Sequence, residues 1–271
     1  MSFNKQKKLG QVFLNNNNVI QRIIKASEIK SSDKILEIGP GKGVLTEALL
    51  KTGANVITIE KDPELVKFLK DFLKERQNLK IIHADIRDFL KTNQFFTQYS
   101  VSNIQYKVIG NIPYYLTSHL LRLLLENPIK PSLILLMIQK EVAERVMAQP
   151  PKMNLLSASV QFYAKPEIIC HVPRTDFYPE PKVDSTVIKI TPYPLIARSE
   201  ATQQSFFKII KAGFKQPRKL LINNLYNNLK IEKETIKDAF KKLNLPLKTR
   251  AQNLSIKQWV SLSLLLTESI V

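Results

Sequence analysis

Cysteine is almost absent from this chain: one residue, Cys170, in 271. That excludes an intrachain disulfide framework and any metal site built from cysteines alone. Its place in the apolar run Ile168-Ile169-Cys170 assigns it to packing rather than to nucleophilic chemistry. Histidine is scarce too, and His83, His119 and His171 are scattered without metal-ligand spacing, so no metal is expected. Long apolar runs are missing. The longest compact one, Leu133–Ile138, is strand-sized, far short of the roughly 18–20 residues of a membrane span. The basic start, Met1–Leu9, has no apolar stretch behind it and does not read as a secretory leader. Acidic residues are outnumbered, 23 against 41 Lys and Arg, for a net charge of +18. With 44% hydrophobic residues the chain can bury a core. The expectation is a soluble cytoplasmic protein that meets a polyanion, either nucleic acid or an anionic membrane surface. Charge does not choose between these, and a codon bias toward Lys and Asn would inflate it.

The first half alternates strand-like and helical patterns, as a parallel α/β sheet does. Strands are expected at Lys34–Ile38, Val56–Glu60, Leu79–His83, Tyr106–Gly110 and Leu133–Ile138. A further strand, Ser185–Thr191, follows a proline-rich loop and suits an antiparallel position. From about Tyr193 the chain reads as short helices: Gln203–Phe214, Arg218–Asn228, Lys233–Leu243 and Ser255–Leu266. Residues 201–271 carry thirteen Lys and Arg against four Asp and Glu, a net +9 that is half the total. The division expected is a ligand-binding α/β domain over 1–197 and a basic helical domain over 198–271.

Glycine is also rare, seven in all, yet three stand alternately in Glu37-Ile38-Gly39-Pro40-Gly41-Lys42-Gly43, directly after the first strand. Such a turn lets a ligand approach the backbone without a Cβ in the way. Glu60 ends the second strand about twenty residues on, where an acid accepts hydrogen bonds from ribose hydroxyls in mononucleotide-binding α/β folds. Asp85 follows the third strand at the same edge. The turn lacks the Lys-Ser/Thr ending of a P-loop, which argues against nucleoside triphosphate hydrolysis. Its G-x-G-x-G spacing argues against a dinucleotide pyrophosphate. NAD, FAD and S-adenosylmethionine enzymes all use turns of this kind, and a tight turn alone would also need glycine.

After the fourth strand comes Gly110-Asn111-Ile112-Pro113-Tyr114-Tyr115. This segment resembles the Asn-(Ile/Leu/Pro)-Pro-(Tyr/Phe) motif of methyltransferases that modify exocyclic amines of bases. An adenine N6 lone pair is delocalised into the ring and is a poor nucleophile. Acceptors on both N6 hydrogens, from the Asn111 side chain and the Ile112 carbonyl, would pull the amine toward tetrahedral geometry. Pro113 would stiffen the loop, and Tyr114 would offer a stacking face to an extruded base. The resemblance extends through Lys7-Lys8-Leu9-Gly10-Gln11-Val12-Phe13-Leu14, Gln139–Arg145, Phe177–Ser185, Phe214–Lys219 and Arg250–Ser255. In that order and over nearly the whole chain, these segments resemble the small-subunit rRNA adenine-N6,N6-dimethyltransferase family.

That resemblance implies a Rossmann-like S-adenosylmethionine-dependent methyltransferase sheet with a small all-helical C-terminal domain. It implies dimethylation of two adjacent adenosines in the 3′-terminal hairpin of 16S rRNA, late in small-subunit biogenesis, by a monomer without metal or membrane. Carried over position by position, Gln11, Val12, Leu14, Gly39, Gly41, Gly43, Glu60, Asp85, Ile86 and Asn111 would surround the cofactor. Phe177 would stack on the target base opposite Tyr114. Lys140, Arg145, Lys182, Arg218 and Lys219 would face RNA, although each is equally compatible with solvated surface. Val12 departs from the family's Asn or His, which is harmless if only its carbonyl is used. Pro217 is a milder departure. Two alternatives share these motifs: the erythromycin-resistance methyltransferases of large-subunit rRNA, and a non-catalytic assembly factor on the same fold. Lys182-Val183-Asp184-Ser185, with Asp instead of Asn, favours the small-subunit enzyme. A DNA methylase is disfavoured by the extent of the match.

Overall fold

The structure is a computed structural model that describes residues 12–74, 76–91, 105–194 and 200–269. Its first elements are β1 (Phe13–Leu14), α1 (Asn17–Ser27), β2 (Lys34–Ile38), α2 (Val44–Leu50), β3 (Asn55–Glu60), α3 (Pro63–Phe72), β4 (Leu79–His83) and α4 (Ile86–Lys91). Then come β5 (Tyr106–Asn111), α5 (Thr117–Glu126), β6 (Leu133–Gln139), α6 (Lys140–Met147), α7 (Leu155–Tyr163), β7 (Ala164–Val172), β8 (Phe177–Tyr178) and β9 (Ser185–Pro192). Four helices close the chain: α8 (Glu200–Gly213), α9 (Leu221–Leu229), α10 (Lys233–Lys242) and α11 (Ile256–Leu266).

Seven strands form one sheet in the order β4-β3-β2-β5-β6-β9-β7. The pairs from β4 to β6 are parallel, and β9 runs antiparallel to β6 as expected. The local reasons are plain. β6 reads Leu-Ile-Leu-Leu-Met-Ile, every one buried, the pattern of a strand covered on both faces. Asn16 caps α1 by accepting from the Asn18 and Val19 amides, and Asp62 caps α3 ahead of Pro63. Cys170 is buried in the apolar cluster with Ile35, Leu49, Leu69 and Leu135. Because the strands are parallel, the ends of β2, β3, β4 and β5 meet at one edge, which brings the glycine turn, Glu60, Asp85 and Asn111 together.

Three strands escaped the sequence reading. β7 gives the apolar run at Ile168–Cys170 its place as a sheet strand. β1 and β8 form a separate two-stranded ladder, Phe13 opposite Tyr178 and Leu14 opposite Phe177.

The chain divides into two compact units, but not at residue 197. One holds residues up to Ala143 with Pro166–Pro192; the other holds Glu144–Lys165 with Tyr193 onward. The segment that changes sides contains α7, whose Phe162 stacks on Phe206 of α8 at 3.9 Å between ring centroids. The sequence reading named no helix at Leu155–Tyr163, and only the fold shows which neighbours cover it. The second unit's own core includes Phe206, Ile210, Leu225, Phe240 and a fully buried Trp259. Among the described residues, no helix is long and apolar enough to cross a membrane.

Candidate active site

Gly39, Gly41 and Gly43 all adopt positive φ, at 68°, 57° and 80°. At Gly39 a Cβ would stand 3.0 Å from the Asn111 carbonyl oxygen, and at Gly41 it would meet the Phe13 ring at 3.0 Å. The backbone therefore lies bare against β5 on one side and β1 on the other. Gly43 differs. It is the N-cap of α2, its Cβ would strike Leu69 at 2.8 Å, and it is not part of the cavity wall.

The cavity is walled by the glycine turn, Val12–Leu14, Glu60, Lys61, Ala84–Ile86 and Gly110–Pro113, with Tyr115 at 64% exposure. Glu60 is 8% exposed, and its Oε1 accepts from the Lys61 and Asp62 amides at 2.8 and 2.9 Å. Burial holds this carboxyl above the usual range, against the amides of Asp62, Lys61 and Gly41. Asp85 is the opposite case. The Arg87 guanidinium, helped by the Arg87 amide and Lys61, holds it well below the usual carboxylate range despite its partial burial.

Asn111 ends β5, and its Nδ2 donates to the Val12 carbonyl at 3.3 Å. That bond engages one of the two Nδ2 hydrogens, and Asn111 lines the cavity. The Val12 carbonyl is the acceptor of that bond, and its side chain packs against the apolar cluster. Ile112 is 2% exposed, and Pro113 fixes the next turn at φ −55°. Leu14 and Ile86 line the cavity as expected.

Other expected residues fall elsewhere. Gln11 and the side chain of Tyr114 lie outside the described residues. Phe177 is 5% exposed, packed in the apolar cluster and absent from the cavity wall, whereas its neighbour Tyr178 is 66% exposed. The place of Phe177 opposite Leu14 in the β1–β8 ladder turns its ring inward. Lys140, Arg145, Lys182, Arg218 and Lys219 are all exposed. Lys140 and Lys182 belong to the first unit, and the other three belong to the second.

Sequence reading assigned no role to Lys61, Arg87, Tyr115, or the buried pair Glu37 and Thr46. Each stands within two residues of a motif position except Thr46, which only the fold brings to Glu37.

A family model described as ribosomal RNA adenine dimethylase matches residues 2–268. The chain belongs to the ribosomal RNA adenine dimethylase family. Among curated members, it is 39% identical to the ribosomal RNA small subunit methyltransferase A of Dehalococcoides mccartyi, over 97% of this chain and 89% of that protein. It is also 39% identical to the Synechocystis protein of the same name, over 98% of each. A solved dimethyladenosine transferase from Plasmodium falciparum superposes at a TM-score of 0.79, with 26% identity over 94% of this chain and 98% of that one. The 23S rRNA methyltransferase ErmE shares the fold at a TM-score of 0.73 and 24% identity. As a family member the chain is a Rossmann-like α/β methyltransferase whose methyl donor is S-adenosylmethionine. The cavity fits that donor on its own evidence: the glycine turn lines it, and Glu60 and Asp85, at the ends of adjacent strands, stand in its wall as acceptors for ribose hydroxyls and an amine.

Proposed function

We propose that this chain transfers methyl groups to N6 of two adjacent adenosines in the 3′-terminal hairpin of 16S rRNA, as a cytoplasmic monomer acting late in small-subunit assembly. The observation that carries the reading is Asn111, which lines the cavity with its amide nitrogen bonded to the Val12 carbonyl, so that its oxygen would be the acceptor offered to a substrate. Bound S-adenosylmethionine supplies an electrophilic methyl group on a sulfonium. The chain's own part is positioning. Glu60 would hold the ribose, Asp85 would meet the adenine edge with Ile86 packed on the ring, and the turn at Gly39 and Gly41 would let the donor approach the backbone. Asn111 Oδ1 and the Ile112 carbonyl accept the two N6 hydrogens of the target and turn its lone pair toward the cavity. No side chain is needed as a strong base, because the methylated amine loses its proton readily. Tyr114 gives the flipped base a stacking face.

The test incubates the protein with labelled S-adenosylmethionine and undermethylated small subunits or, separately, large-subunit RNA, then identifies the nucleosides. Dimethyladenosine from small subunits is expected. Product from large-subunit RNA only would sink the reading, and no transfer on either substrate would favour an assembly factor that only binds. Asn111→Ala should lower transfer by at least about a hundredfold, the scale of losing a preorganised polar group, with RNA binding largely kept.

A further inference from the structure

Asp85 is more heavily engaged than an adenine-binding acid needs to be. Its Oδ1 accepts from the Arg87 amide and from Arg87 Nε, both at 3.0 Å. Its Oδ2 accepts from Arg87 Nη2 at 2.6 Å and lies 3.0 Å from Lys61 Nζ. A carboxylate offers about four lone-pair sites, so these four donors use them all. The Asp85 side chain is 13% exposed, while those of Arg87 and Lys61 are 37% and 52% exposed. Asp85 and Lys61 both stand in the cavity wall, beside Ile86 and Tyr115.

We infer that Arg87 is a specificity-determining residue of the donor pocket: it competes with the adenine amine of the methyl donor for Asp85. The inference rests on the reading above that Asp85 takes the adenine edge. An amine approaching Asp85 has to displace a donor already in place. Lys61 is a half-exposed point charge and yields first. Arg87 holds on through two parallel charge-assisted bonds, the geometry in which a guanidinium grips a carboxylate best. Arg87 itself stands outside the cavity wall and acts through Asp85. With its lone pairs taken, Asp85 neither rewards the amine of adenine nor repels the O6 of hypoxanthine as strongly as a free carboxylate would. Removing Arg87 frees Asp85 to read the amine alone.

The test titrates the whole chain calorimetrically with S-adenosylhomocysteine and with S-inosylhomocysteine, at low and high sodium chloride. Wild type, Arg87→Ala and Asp85→Ala are compared. Arg87→Ala is expected to bind the adenosyl compound about threefold to fivefold tighter, the scale of a partly exposed ion pair. Its preference for adenosyl over inosyl should rise by a similar factor, a change that a merely structural role would not produce. Salt should tighten adenosyl binding to the wild type by screening the Arg87–Asp85 and Lys61–Asp85 pairs, and should tighten it less in Arg87→Ala, which keeps only Lys61. Weaker adenosyl binding by Arg87→Ala, or an unchanged preference, overturns the inference. If Asp85→Ala weakens adenosyl binding while Arg87→Ala changes nothing, only the inference fails. If Asp85→Ala changes neither affinity, the assignment of Asp85 to the adenine edge fails with it.

Discussion

Glu37 sits two residues before Gly39 with no exposed surface, and Thr46 of α2 donates to its Oε2 at 2.7 Å. Its Oε1 and the Thr58 hydroxyl opposite are buried without a hydrogen-bond partner. Burial pushes the Glu37 carboxyl up to about 7, against the hydrogen bond from the Thr46 hydroxyl and with Glu60 adding to the effect. A neutral acid suits this site, because a buried carboxylate with one oxygen unpartnered is costly. The sign of the linkage follows. A folded pKa above the unfolded value means that the unfolded chain gives up its proton first as pH rises. Stability is therefore full below about pH 4.5 and is lost as pH climbs toward 7. The size is on the order of 3 kcal/mol for a shift of that extent. Glu37→Gln keeps the shape and the neutral charge, so its melting temperature relative to wild type should rise between pH 5 and pH 7.5, roughly the titration window. Parallel melting curves across that range would show that Glu37 is already ionised in the fold.

At the scale of the element, the turn between β2 and α2 performs two tasks with one residue type. Gly39 and Gly41 bare the backbone to the cavity, whereas Gly43 starts the helix and makes room for Leu69. Alanine at either Gly39 or Gly43 takes a left-handed conformation that costs an L-residue about 1–2 kcal/mol, with the steric crowding added. Both variants should lower the melting temperature. Only Gly39→Ala should also weaken donor binding by about tenfold or more, since its Cβ presses on the Asn111 carbonyl that sets the reacting loop; a loss of about 1.4 kcal/mol is tenfold. Equal losses of affinity in the two variants, read by titration with S-adenosylhomocysteine, would mean that the turn acts as a single block.

For the molecule as a whole, the charge of +18 matters more than any single cation. Its excess over the last 71 residues lies in the second unit, where Arg218 and Lys219 are exposed in the turn between α8 and α9. Neutralising phosphates releases counterions, so RNA affinity should fall linearly in log–log form with salt. Replacing Arg218 and Lys219 together by Ala should flatten that slope by roughly one to two, at ~0.7–0.9 for each phosphate that is no longer neutralised. Donor affinity should be unchanged, because every residue of the cavity wall comes from the first unit. A filter-binding series over salt measures the slope, and an unchanged slope would take those two cations out of the RNA interface.

Period and punctuation alone determined much of this protein. Alternation placed five parallel strands and the antiparallel one to within two residues. Three glycines in one turn marked the ligand edge, and Asn111-Ile112-Pro113-Tyr114 marked the reacting loop. These features are local: hydrophobic spacing, positive φ and a proline-stiffened loop are written into neighbouring residues. What the tertiary structure decided is what meets across the chain. It put Thr46 on Glu37 and the Val12 carbonyl on Asn111, and it filled Asp85 with Arg87 and Lys61. It turned Phe177 into the core and gave α7 to the C-terminal helices. Burial and acceptor saturation depend on three-dimensional neighbours, and a motif names a side chain without naming what has already claimed it.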